Sequence, residues 1–292
     1  MSKIHKVSIS NGRLSADILS LGGIIQQLNW HGQAGVQALV LSYHKPQGYL
    51  EDPYFIGTLV GRFANRIRSP LVIDGVEYPL SCNEGNNCLH GGTDGLHKQI
   101  FEVVEQTAHS VLLSCRLADG HMGFPGNLEI QVRYTITKDE RLITEISATT
   151  DKTTPVSITQ HSYFCLGTDQ QAQLFGERVL CNDEKGIPNG KSLPLAKPWP
   201  EDNHVVGDES GELWKMAQIS SQANALQLEI WSDQPGYQFY QTEHLGAPFA
   251  PRQGLCVEPQ QVPNAPNQNQ SGLLAAGERY SHTIEYRVQT LA

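Results

Sequence analysis

Leu128-Glu-Ile-Gln-Val-Arg-Tyr-Thr-Ile136 is the longest strict apolar/polar alternation in the chain. Leu128, Ile130, Val132, Tyr134 and Ile136 fall on one side of a period-two element, and Glu129, Gln131, Arg133 and Thr135 on the other. That is the pattern of a half-buried β-strand. The same alternation recurs outward in both directions. Toward the N-terminus, Val7 and Ile9 alternate up to Asn11-Gly12, which predicts a type I′ hairpin turn, and Leu14, Ala16 and Ile18 resume beyond it. Leu71-Val-Ile-Asp-Gly-Val-Glu-Tyr78 predicts a second hairpin turning at Asp74-Gly75. Toward the C-terminus, Leu226, Leu228 and Ile230 alternate before a turn at Asp233–Gly236, Tyr237 and Phe239 follow, and Ile284, Tyr286 and Val288 close the series. Helical spacing is confined to Gly211–Ala223, where Leu213, Met216 and Ala217 predict a short helix. Residues 167–211, rich in Pro, Asp, Gly and Asn, read as a long functional or mobile loop.

Many short strands with turn residues between them and almost no helix predict an all-β sandwich or barrel. No internal repeat or low-complexity linker divides the chain, and all-β units often run this long. The 292 residues are therefore expected to form a single domain, 1–292. With 39% hydrophobic and 17% charged residues, the chain has the means to bury a core. A net charge of −9 argues against nucleic acid and anionic membrane surfaces, which reward clustered Lys and Arg. The opening Met-Ser-Lys-Ile-His-Lys-Val-Ser-Ile-Ser has no apolar leader, and no apolar run is long enough for a bilayer, so a cytoplasmic protein is expected. In that compartment the six cysteines default to free thiols.

Four stretches interrupt the alternation with polar groups: Gly61-Arg-Phe-Ala-Asn-Arg-Ile67, Asn83-Glu-Gly-Asn-Asn-Cys-Leu-His-Gly-Gly92, Ser157-Ile-Thr-Gln-His-Ser-Tyr-Phe-Cys-Leu166 and Gly254-Leu-Cys-Val-Glu-Pro-Gln-Gln-Val-Pro-Asn264. His161 lies at the end of an alternating run, where a rigid strand would hold a group able to give or take a proton near neutrality. Alone it reads equally as a satisfied core histidine. Glu258 sits where an apolar strand ends, and desolvation there would make it a stronger base; its plain alternative is a structural ion pair. His90 reads as a loop histidine whose Gly91-Gly92 neighbours let the backbone approach a ligand, or as a turn residue serving its own loop. Asn65 and Arg66 are able to donate to ligand hydroxyls; equally, Arg66 is able to tie down a loop carboxylate.

Taken together, in order and at their spacing across nearly the whole chain, the four stretches resemble the aldose 1-epimerases, or galactose mutarotases. The resemblance implies a large antiparallel β-sandwich, the galactose mutarotase-like supersandwich, with an open face holding a monosaccharide. It implies Glu258 as catalytic base and His161 as catalytic acid, with His90 bonding the sugar near its ring oxygen and Asn65, Arg66 and Gln238 contacting substrate. The family's sugar-binding aspartate stands in an Asp-His-x-Phe-like run; the nearest counterpart is Asp202-Asn-His-Val205, so Asp202 takes that place with its usual neighbours changed. Gln160 and Cys165 replace asparagines that commonly flank the histidine.

The implied reaction opens a hemiacetal: the C1 hydroxyl loses a proton while the ring oxygen gains one, and closure on the other face reverses both transfers. One carboxylate and one imidazolium suffice, so His161 is expected protonated and Glu258 ionised, with no cofactor and no metal. A cupin-like metal barrel is disfavoured because no His-x-His pair occurs among the eleven histidines. Cys88, Cys165 and Cys256 near His90, His161 and Glu258 lack zinc-type local spacing. A lectin-like sandwich would need the sugar contacts but not an acid and a base together. An epimerase of phosphorylated hexoses would need arginines converging on phosphate, and only Arg62, Arg66 and Arg68 cluster. The partner implied is a monosaccharide, acted on by a monomer or homodimer.

Overall fold

The structure, a computed structural model, describes residues 3–291. Its frame is an eight-stranded antiparallel sheet in the order Glu102–Gln106, Ser110–Leu117, Leu128–Ile136, Arg141–Thr150, Arg279–Thr290, Leu226–Ser232, Trp214–Ser221, Gln171–Leu174. Leu128–Ile136 lies third in it, paired along its full length with Arg141–Thr150 and from Leu128 to Thr135 with Ser110–Leu117. Leu128, Ile130, Val132, Tyr134 and Ile136 are all buried, as their alternation requires. Burying each such aliphatic side chain is worth about 1.5–3 kcal/mol against leaving it exposed.

A six-stranded sheet packs against this frame: Tyr163–Phe164, Leu255–Gln260, Gly236–Tyr240, Asp202–Val206, Arg178–Asn182, Pro188–Pro194. A four-stranded sheet formed by Lys6–Ser10, Leu14–Leu19, Ile24–Gly32 and Gly35–Ala38 completes the main layers. The only α-helix among the described residues is Ala265–Asn269. One apolar cluster contains residues from Val7 to Val288 and from all three sheets.

Strand parity in the six-stranded sheet decides where the polar residues go. Tyr237 pairs with Val205, and Phe239 with Val257, and these four side chains join the main core. Successive side chains point to opposite faces, so the intervening residues form the other face. There His204, Gln238 and Glu258 lie side by side in one row, flanked by Asp202, Tyr240 and Cys256 in the next. A slip of one residue would bury the carboxylate in the apolar core and turn Val257 outward.

Several sequence expectations change here. Residues 211–223 form no helix: Trp214–Ser221 is a strand held between Gln171–Leu174 and Leu226–Ser232. A bulge between Lys215 and Ala217 puts Met216 and Ala217 both inside, and that doubling mimicked helical spacing. The expected loop at 167–211 holds four strands. Pro188–Pro194 is an edge strand exposed almost throughout, so it carries no apolar alternation to read. The hairpin at Asp74-Gly75 forms with both residues at positive φ, as a type I′ turn demands. At the first hairpin the turn instead falls on Gly12-Arg13. Asn11 N–H donates to the Leu14 carbonyl at 3.1 Å, and the Asn11 side chain accepts from Arg13 and Leu14. Leu255–Gln260 also runs two residues past Glu258. Tyr163–Phe164 pairs only as far as Cys256, so Pro259 follows on a strand with one free edge, where proline is tolerated.

Candidate active site

His161 lies in the gap between two short strands. Thr159–Gln160 pairs with Leu59–Val60, and Tyr163–Phe164 pairs with Leu255–Cys256. Its backbone is fixed as well: its N–H donates to the Thr58 carbonyl at 2.8 Å, and its carbonyl accepts from Gly57 N–H at 2.9 Å. Gln160 braces the same junction from the core, donating to the Gly57 carbonyl and accepting from the Tyr134 hydroxyl. The glutamine in place of asparagine is therefore part of the support under His161.

Glu258 reaches toward this imidazole from the middle of its strand, with Oε1 3.5 Å from His161 Nε2. Its Oε2 has no hydrogen-bond partner. His90 is the third corner. The polar tips of His90, His161 and Glu258 all lie within 4.8 Å of one another, and the three residues are only 2–6% exposed. His90 follows Asn87–Leu89, which pairs with Arg66–Arg68. Its N–H donates to the Asn65 carbonyl, and its Nδ1 accepts from Asn65 N–H at 3.1 Å. That bond leaves the ring proton of the neutral form on Nε2. Gly91 was expected to let the backbone approach a ligand. It approaches the chain itself, since a Cβ there would stand 1.9 Å from the Gly61 carbonyl oxygen.

The other expected residues gather around this triangle. Gln238, in register with Glu258, donates to Oδ1 of Asp202. Asn65 is buried and turns its side-chain oxygen to Arg66 N–H. Arg66 ties a loop carboxylate: Nε and Nη2 donate to the two oxygens of Glu84 at 2.6 and 2.7 Å. Its charge nevertheless still acts on Glu258 and Asp202.

Burial rearranges the protons. It pushes the Glu258 carboxyl well above its ordinary range, with Asp202 adding to the rise and Arg66 opposing it. It pushes His161 down to about 4, and His90 well below its usual value, with His161, Arg66 and His97 acting in the same direction on His90. Burial thus favours the uncharged form of each group, the carboxylic acid at 258 and the neutral imidazole at 161. The expected imidazolium and carboxylate are the other arrangement of the same single proton, and desolvation is what disfavours them here.

One neighbour carried no signal in the sequence. Phe55, at φ +58°, packs its ring 4.8 Å from both His90 and His97 and stacks 6.0 Å from His161. An aromatic held in the left-handed region is costly and marks a site where packing overrides local preference. Cys256, buried, sets its sulfur 3.7 Å from His161 Nδ1, and Tyr163 stacks on that imidazole at 5.1 Å. Two imidazoles and a carboxylate are also the donor types zinc uses. Their 4.8 Å spread is wider than the roughly 3.4 Å between ligands implied by bonds of about 2.0–2.1 Å in a tetrahedral site.

An antiparallel sandwich that buries one acid–base pair beneath hydrogen-bonding side chains defines an all-β enzyme of proton-transfer chemistry on a small polar molecule. The family model described as aldose 1-epimerase matches residues 5–287. Galactose mutarotase of Mus musculus is 33% identical over 97% of this chain and 94% of its own. Aldose 1-epimerase of Escherichia coli K12 is 31% identical over 86% of this chain and 85% of its own. A GalM/aldose epimerase homologue from C. elegans superposes with a TM-score of 0.91 at 25% identity, covering 99% of this chain and 100% of that one. A galactose 1-epimerase from Lactobacillus acidophilus shares the fold, with a TM-score of 0.87 at 21% identity over 100% and 96% of the two chains.

The chain belongs to the aldose 1-epimerase family. It is accordingly an isomerase that interconverts the α and β anomers of an aldose.

Proposed function

We propose that the substrate is a neutral hexose such as galactose or glucose, with Glu258 as the base that takes the C1 hydroxyl proton and His161 as the acid that protonates the ring oxygen. The observation that carries this reading is the 3.5 Å separation of Glu258 Oε1 and His161 Nε2. The two oxygens to be served are bonded to one carbon, so a donor and an acceptor this close are able to reach one each. Sugar hydroxyls donating to Oε2, which has no partner of its own, stabilise the carboxylate. The proton then passes from Glu258 to His161. Glu258 accepts the C1 proton as His161 delivers its own to the ring oxygen, and the ring opens to the aldehyde. Rotation about C1–C2 and closure on the other face run both transfers backward. Each turnover returns the pair to one proton, so no external relay is required.

His90, with Nε2–H directed away from its bond to Asn65, serves as a donor near the ring oxygen. Gln238 with Asp202, and Asn65 with Arg66, face the hydroxyls. The arginines favour an unphosphorylated sugar. Arg66 is bidentate to Glu84, Arg68 pairs with Asp183, and Arg62 is buried with Nη1 donating to the carbonyls of Pro125 and Gly126. We further assign the chain to one domain working in the cytoplasm as a monomer or homodimer; the shared core and six free thiols support the first two points.

Polarimetry tests the roles. Glu258→Gln and His161→Asn are each expected to lower mutarotation by roughly 10²–10⁴-fold with the fold intact. A near wild-type rate in either variant removes that residue from its role. Comparing galactose, glucose and glucose 6-phosphate tests the substrate class.

A further inference from the structure

The guanidinium of Arg66 is gripped by two segments about a hundred residues apart. Glu84 takes Nε and Nη2 side-on, and is itself braced by Asn87, whose Nδ2 donates to Glu84 Oε2 at 3.3 Å and to the Lys185 carbonyl at 2.9 Å. From the turn between Arg178–Asn182 and Pro188–Pro194, Gly186 presses on the same head. A Cβ at Gly186 would come within 2.9–3.1 Å of Arg66 Nε, Cζ and Cδ, and the residue sits at φ +74°. Only Nη1 is left with a slack partner, Asn65 Oδ1 at 3.4 Å. A cavity of about 510 Å³ adjoins this grip and is lined by Arg66, Glu84, Asn87, Lys185 and Gly186.

An arginine head on its long stem has many rotamers to lose. Here neighbouring space exists into which it would swing if released. The Glu84 carboxylate and the bare Cα of Gly186 remove that freedom from two directions, and both act on the edge carrying Nε and Nη2. We propose that Glu84 and Gly186 are positioning residues for substrate recognition: they aim the Nη1 edge of Arg66 at the sugar and thereby set how tightly the aldose is held. Neither residue touches the reacting atoms, so their effect falls on binding and spares the proton transfers. This rests on the reading of Arg66 as a sugar contact.

The test is steady-state mutarotation of galactose by wild type, Glu84→Gln, Gly186→Ala, Arg66→Gln and the Glu84→Gln/Arg66→Gln double variant, each checked by circular dichroism and thermal melting. A well-aligned hydrogen bond to a charged group is worth about tenfold or more in binding. Glu84→Gln and Gly186→Ala are therefore expected to raise KM roughly tenfold with kcat within about twofold of wild type. In the Arg66→Gln background, adding Glu84→Gln is expected to change KM by less than about twofold, because a residue acting through Arg66 has nothing left to position. An equal rise in KM in both backgrounds overturns the proposal and makes Glu84 a support of its own loop. So does an unchanged KM in Glu84→Gln and Gly186→Ala, or a fall in kcat that matches the rise in KM. If Arg66→Gln alone leaves KM unaltered, the sugar-contact reading of Arg66 has failed, and the proposal falls with it. Gly186→Ala lies on a surface turn and keeps the test open should Glu84→Gln not fold.

Discussion

Replacing His161 by asparagine should do more than stop the reaction; it should remove a defined part of the acid sensitivity of the fold. Burial lowers the His161 pKa from its ordinary 6.5 to about 4. Its folded-state pKa is thus depressed, so the unfolded chain binds the proton first as pH falls. The sign follows from linkage: stability is fully present above pH 6.5 and is lost as pH drops toward 4. Each pH unit across that window costs about 1.4 kcal/mol, so between about pH 7.5 and about pH 4.5 this single imidazole contributes roughly 2.5 kcal/mol of destabilisation. Asparagine cannot take up the proton. Urea unfolding followed by circular dichroism, for wild type and His161→Asn at those two pH values, isolates the difference. His97, His204 and the other buried histidines are present in both proteins and cancel. The expected result is a pH-dependent loss smaller by roughly 2–3 kcal/mol in the variant. Identical losses in the two proteins would mean that the folded-state pKa of His161 is not depressed and the imidazole takes its proton as it does in the unfolded chain, and the effect assigned to its burial would have to be abandoned.

Glu258→Gln should be inactive yet more stable than wild type at neutral and alkaline pH. The raised folded pKa means that stability is full below the unfolded carboxyl pKa and falls as pH climbs toward the folded value, a loss glutamine does not suffer; melting temperatures compared near pH 5 and pH 8 would expose it. The pH profile of kcat/KM should be bell-shaped if, as proposed, the site works with one proton on the pair. The acid limb falls near pH 4, where His161 protonates, and the alkaline limb well above the ordinary carboxyl range, where Glu258 ionises. An acid limb near the unperturbed histidine value would contradict this assignment. Gly91→Ala should give little or no folded protein, since its Cβ overlaps the Gly61 carbonyl and φ is +86°; wild-type yield and melting temperature would show that the loop has room to move.

The strands were legible wherever one face is buried and the other wet. Leu128–Ile136 reads off directly, because solvent on one side and core on the other leave a period of two in the residues themselves. The turn at Asp74-Gly75 was equally plain, since only a few residue types occupy two consecutive left-handed positions. The exposed edge strand Pro188–Pro194 left no such mark, and the bulge at Met216 left a misleading one. The local polar stretches around Asn65, His90, His161 and Glu258 stood out in the chain, and the resemblance they carry pointed to the chemistry.

What the linear order of residues does not contain is distance. That Glu258 comes to 3.5 Å from His161, that Glu84 holds two of the N–H groups of Arg66, and that Phe55 walls in the histidines are consequences of how segments far apart in the chain are packed together. The protonation of the pair belongs to the same category. A residue's identity sets its pKa in water; only the packed environment, by taking water away from both groups at once, shifts the balance of the proton toward the carboxyl and away from the imidazole.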